Sequence, residues 1–280
     1  MRYTILLITL LTARALHAQE MTIESYSWRL AALGYDMVEC RQERDRDSCI
    51  ELFNLNMDSL IVLPGSYAHA FDSVKNVRIL ASPDQQFRIL TWGFRHANDS
   101  FSFFGFIQYA DENRAPDKLS DSAHQLGNKE SVYHMELAPE QWFGALYFQI
   151  EKVSYKKETY YLLLGWNGNT YKTDRKVLDV LHWNEENEAR FGLPVFDLGN
   201  KSPYQNRVVW EYKNGANMTL RMEAKKKIIT FENIVPADPQ AKGIYTLYLP
   251  DGTYDFFKFK KGMWIKEIML HDHYKNPGSD

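Results

Sequence analysis

The chain has 280 residues, 45% of them apolar and 14% aromatic, with 33 Lys and Arg against 36 Asp and Glu. That much apolar material can bury one large core or two moderate ones. The mildly negative balance argues against DNA, RNA or anionic membranes as partners, all of which call for clustered Lys and Arg.

Residues 1–18, MRYTILLITLLTARALHA, read as a secretory signal peptide. Arg2 supplies the positive start, and the apolar run from Thr4 to Leu11 is far short of the ~20 residues that span a bilayer. Ala13-Arg14-Ala15 and Leu16-His17-Ala18 compete as cleavage sites, and the abrupt polar Gln19-Glu20 favours cleavage after Ala18. Removing that leader takes away Arg2 and Arg14, so 33 bases fall to 31 against 36 acids, a net charge of -5. No other apolar stretch is long enough to cross a membrane, so the expected destination is the periplasm or the medium. The organisation expected is a leader at 1–18, a helical region at 19–65 and a β-rich domain at 66–280.

Ile23, Tyr26, Leu30 and Leu33 recur at helical spacing, with Gly34 placed to stop the helix. Cys40 and Cys49 are the only cysteines, and in an oxidising compartment an even count invites a disulfide. On one unbroken helix the pair would lie roughly 13 Å apart, beyond the ~7 Å reach of a bridge, so a break between them is required. The charged run Arg44 to Asp47 and the capping-box pattern Ser48 to Glu51 predict that break. Two helices are expected, Asp36 to Arg44 and Cys49 to Leu60, joined by Cys40–Cys49. Closing a loop of this size contributes roughly 2–3 kcal/mol in the chain-entropy view.

From Val77 onward short aromatic and β-branched runs alternate with turn signals, the pattern of a mainly β, antiparallel meander. Eleven runs stand out: 87–95, 101–109, 142–153, 159–166, 176–183, 207–212, 218–223, 228–231, 244–249, 254–260 and 263–268. Asn167-Gly168, Asn214-Gly215 and Asp251-Gly252 are hairpin-turn dipeptides, and Lys225-Lys226-Lys227 falls where a solvated turn belongs. Met218, Leu220 and Met222 alternate with polar neighbours, giving that strand one wet face. The runs Phe101 to Ile107 and Tyr160 to Leu164 are apolar on both faces and are expected between layers. A sandwich and a propeller-like array of four-stranded meanders both satisfy these constraints. Residues 111–140, rich in polar side chains, look like a long exposed excursion with one strand at Val132 to Leu137.

The segments FRILTW (87–92), WFGALY (142–147), YYLLLGWNGN (160–169), KVLDVL (176–181), PVF (194–196) and YDFFKFKKGMW (254–264) together resemble a family of uncharacterised secreted proteins from Bacteroidota. The resemblance covers roughly residues 70–270. It implies a Gram-negative envelope setting and brings no assigned activity and no catalytic residues.

Chemical motifs are sparse. His271 and His273 lie two apart, so in an extended segment both imidazoles point one way and are the candidate metal ligands; the competing reading is a solvated tail. His124 and His134 in the polar excursion are candidates for ligands or for acid and base. Ser66, after Pro64-Gly65 and near His69, lacks the G-x-S-x-G elbow and fits a plain turn residue better. No catalytic pair is named and no cofactor is expected. Trp166 and Trp183 end their strands near loops and are the candidate binding platforms, for a sugar ring or a partner protein. The expected role is that of an exported, non-catalytic binding or structural module for an envelope protein or glycan. The alternatives are a hydrolase or lyase acting on an envelope or environmental polymer, and a carbohydrate-binding module.

Overall fold

The computed structural model describes residues 21–39, 42–96, 100–126, 130–199 and 203–269. The expected leader at 1–18, Cys40, His271 and His273 therefore lie outside the described residues. Among the described residues two helices, α1 (Ile23–Glu39) and α2 (Glu43–Ile61), precede fourteen strands. In chain order these are β1 (Arg78–Ala81), β2 (Phe87–Arg95), β3 (Phe101–Tyr109), β4 (Asp117–Ser120), β5 (Leu146–Tyr155), β6 (Glu158–Asn167), β7 (Thr173–Trp183), β8 (Ala189–Phe191), β9 (Phe196–Asp197), β10 (Val208–Lys213), β11 (Leu220–Glu223), β12 (Ile228–Pro236), β13 (Tyr248–Lys260) and β14 (Met263–Ile268). The first sheet is β1-β2-β3-β4; the second is β10-β7-β6-β5 with β8 on the far end of β7; the third is β11-β12-β13-β14-β9. Pairing is antiparallel throughout except at β14–β9, which is parallel. No helix among the described residues is long and apolar enough to cross a membrane.

Side-chain alternation stacks these sheets. On β6, Tyr161 and Leu163 face a core shared with Ile89, Phe103 and Ile107 of the first sheet, while Leu162 and Leu164 face a core shared with Ile229, Phe231 and Phe257 of the third. β3 is divided the same way, with Phe103 and Ile107 toward the second sheet and Phe106 toward the helices. Both doubly apolar runs thus lie between layers, as period-2 alternation requires. The helices join Leu30, Phe53, Met57 and Leu60 to Leu90, Trp92, Phe94 and Phe106, so the helical region shares a core with the first sheet. The architecture is three successive meanders stacked face to face, with a helix pair on the outer face of the first.

Several elements depart from expectation. Gly34 does not end α1: it is buried inside the helix, where its carbonyl accepts from Asn76 Nδ2 at 3.1 Å and a Cβ would meet that amide at 3.3 Å. The helix break falls between Glu39 and Glu43 rather than at 44–47, and Ser48 donates to the Arg44 carbonyl at 3.0 Å within α2 instead of capping it. Asp251-Gly252 makes no hairpin; with Gly252 at φ +79° it forms a bulge inside β13, where Asp251 to Thr253 stand opposite Asn233 alone. Residues 244–249 begin as a 3-10 turn, Tyr245–Leu247, before β13 starts. The 111–140 segment keeps many exposed side chains but is anchored at a few buried ones, and Ser131–His134 is a 3-10 turn rather than a strand. Leu119, Ala123, Val132 and Leu137 plug the core between the first two sheets, and the buried Arg207 binds the carbonyls of Val132, Met135 and Phe191 while pairing with Asp179 at 3.3 Å.

Candidate functional site

Where the first and second sheets meet at one end, five stretches of chain (100–103, 121–124, 132, 143 and 167–175) line a half-open cleft of about 490 Å³. The start of β3 contributes Phe101 and Ser102. Asp121 follows β4, and His124 sits on the 3-10 turn behind it. Phe143 comes from the approach to β5, and Arg175 from β7.

Asp121 is set in place by the backbone around it. It bridges to Trp142, whose carbonyl accepts the amides of Ser122 and Ala123, both at 3.3 Å. Its Oδ2 accepts the Phe103 amide at 3.3 Å, and its Oδ1 lies 4.0 Å from His124 Nδ1. Gly144 (φ +77°) passes so close that a Cβ there would stand 2.6 Å from the carboxyl, so both the backbone angle and the approach require glycine. Burial pushes the Asp121 carboxyl up to about 7, against the opposing pull of the Phe103 amide and the Arg175 charge. A carboxyl held near neutrality in a cleft is poised to give or take a proton.

Arg175 is oriented by Glu211, which accepts from its Nε at 2.9 Å and is itself fixed by Thr173 Oγ1 at 3.1 Å and Asn169 Nδ2 at 3.2 Å. That pairing compensates the guanidinium charge. Among the described residues the terminal nitrogens of Arg175 make no hydrogen bond, which leaves planar donors turned to the cleft wall. Phe101 and Phe143 are half-buried and present apolar surface beside these groups.

The residues singled out from sequence are distributed differently. Trp166 is half-buried, its ring edge-on to Phe101 at 5.6 Å, so it buttresses a cleft wall from behind. Trp183 is half-buried in a separate groove of about 310 Å³; its indole donates to the Tyr109 hydroxyl at 3.1 Å, and its ring stands edge-on to Phe87, Tyr109 and Tyr161. Of the histidines, His124 enters the cleft, whereas His134 pairs with the Tyr204 carbonyl at 3.1 Å. The candidate metal ligands His271 and His273 lie outside the described residues, as does Cys40; its expected partner Cys49 is half-buried on α2 against the helical core. Ser66 is buried, donating to the Ile61 carbonyl at 3.0 Å and accepting from Gln108, while His69 pairs with Ser27 at 2.8 Å; the two form no nucleophile and base. Asp121 and Arg175 escaped the sequence reading because no local motif marks them. The most exposed tryptophan is Trp28, on α1.

Fold and cleft together define a stacked β-meander protein with an ionisable, aromatic-walled cleft between two of its sheets. In comparisons with known proteins, no family model, curated protein or solved structure matches the chain.

Proposed function

We propose that the chain is an exported binding module that takes its ligand in the Asp121–Arg175 cleft. The observation that carries this reading is the meeting, in one half-open cavity, of guanidinium donors that make no hydrogen bond among the described residues, a carboxyl and two half-buried rings. Binding sites take this form, a mostly apolar concavity with a few placed polar groups. The leader and the likeness to secreted Bacteroidota proteins support export, to periplasm or medium, and an oxidising compartment would permit the Cys40–Cys49 bridge. Its ligand would then be an envelope component, protein or glycan.

A thermal-shift screen of envelope-derived compounds against the wild type and an Asp121→Asn/Arg175→Gln variant tests this. A ligand at 100 times its Kd stabilises by about 2.7 kcal/mol. Shifts confined to the wild type are expected; equal shifts in both proteins would move the site elsewhere. Intact mass of exported protein is expected to show loss of residues 1–18 and of two further hydrogens, and a full-length chain with free thiols would contradict export and bridge alike.

A hydrolase or lyase is the second reading, favoured by the proximity of His124 to a carboxyl that titrates near neutrality. Turnover of an envelope polymer that Asp121→Asn abolishes would replace the binding reading with this one.

A further inference from the structure

Resting on the cleft as the binding site, we infer that it takes a neutral polyhydroxylated ligand, a sugar ring rather than an anion. The charge balance argues first. Among the described lining residues Arg175 is the one guanidinium, and Glu211 holds its Nε at 2.9 Å, so its charge is already compensated before a carboxylate or phosphate could approach. Asp121 adds an acceptor that an anion would have to approach.

Hydrogen-bond complementarity argues next. Each sugar hydroxyl both donates and accepts, so its receptor must offer both kinds of partner side by side. Here the terminal nitrogens of Arg175 donate in a fixed plane and the Asp121 carboxyl accepts. An anion needs donors alone, and an apolar ligand would leave both groups unpaired at a cost.

The walls complete the match. A pyranose has apolar C–H faces as well as hydroxyl edges, and such faces pack on aromatic rings. Phe101 and Phe143 are half-buried in the cleft, and Phe101 is held from behind by Trp166 edge-on at 5.6 Å and by Phe103 stacked at 6.0 Å. The tryptophan thus serves as a support, and the phenylalanine is the surface a ligand would meet.

Saturation-transfer NMR on the whole mature chain supplies the test. The probes are glucose, galactose, mannose, N-acetylglucosamine and their disaccharides, with glucuronate and glucose 6-phosphate as anionic comparators. Saturable binding of at least one neutral probe is expected, weakened about tenfold or more in Arg175→Gln and in Phe101→Leu. Asp121→Asn, nearly the same shape, keeps the experiment decisive if either of those variants fails to fold. Binding confined to the anionic probes would overturn the sugar assignment and leave the cleft standing. Binding of neutral probes that survives every substitution would overturn both. Binding by no probe would overturn the sugar assignment alone, with the thermal-shift screen still deciding the cleft.

Discussion

Asp121 is held in the fold at a cost to stability, and the cost depends on pH in a definite direction. In the unfolded chain its carboxyl ionises around the ordinary 3.8, whereas in the fold burial delays this to about 7. Below about pH 4 both states are protonated and the group contributes nothing. Between there and 7 the fold loses stability as pH rises, and above 7 the loss is constant at roughly 2–4 kcal/mol. The groups facing the carboxyl are the Phe103 amide, His124 and Arg175. Asp121→Asn keeps the acceptor for the Phe103 amide and removes the charge. It is therefore expected to stabilise the protein at pH 8 and to be nearly neutral at pH 4, as read by urea denaturation; the same effect at both values would contradict the account. Burial also pushes the Asp179 carboxyl up, but here a fully buried partner, Arg207, stands 3.3 Å away. Arg207→Ala is expected to cost about 3–5 kcal/mol in the same assay, by stranding the aspartate and releasing three carbonyls. Asp179 lies inside the run Lys176 to Leu181, and nothing local to that run marks Arg207 as its partner. The pairing became visible only once β10 lay beside β7.

Elements bounded by clear turn chemistry are those the sequence places best. β2, β3 and β14 begin and end where their apolar runs do. The short strands β1, β4 and β8 were not read, because β1 and β4 are edge strands with mixed or largely polar patterns and β8 has only three residues. The Asp251-Gly252 dipeptide shows why local signals mislead: a positive φ serves a bulge as well as a hairpin, and the continuing pairing of β13 with β12 decides between them. Gly144 matters most at this scale, because it lets the approach to β5 pass against Asp121. Gly144→Ala is expected to destabilise by more than about 1 kcal/mol, through strain at φ +77° and the clash with the carboxyl, and to weaken any ligand of the cleft. Wild-type stability and affinity in that variant would show the approach to be slack. The helical region is likewise bound to the first sheet, through Gln108, which donates to Ile61 at the end of α2, and through Arg88, which donates at 2.7 Å to the Ser66 and His69 carbonyls on the 3-10 turn that follows. Replacing Cys40 and Cys49 with serine is expected to lower the melting temperature without abolishing folding, whereas deleting residues 1–62 would uncover Trp92 and Phe106 and abolish cooperative unfolding of the first sheet.

At the scale of the whole molecule, the stack turns short meanders into buried layers, and the cleft is a product of the stacking. Its side chains come from five stretches of chain, with Phe101 and Arg175 separated by 74 positions, so no spacing rule links them. The mainly β class, the doubly buried strands and the helical start were readable because each is written in local periodicity. The cleft was not, because it depends on which sheet faces which. The measurement that tests this account most directly is an NMR titration of the Asp121 carboxyl in the folded protein, without ligand and then with a ligand from the screen. The account predicts a midpoint near 7 that moves when the ligand binds. A midpoint near 3.8, unmoved by a ligand that does bind, would show an ordinary surface carboxylate and contradict the assignment of the cleft as the working site.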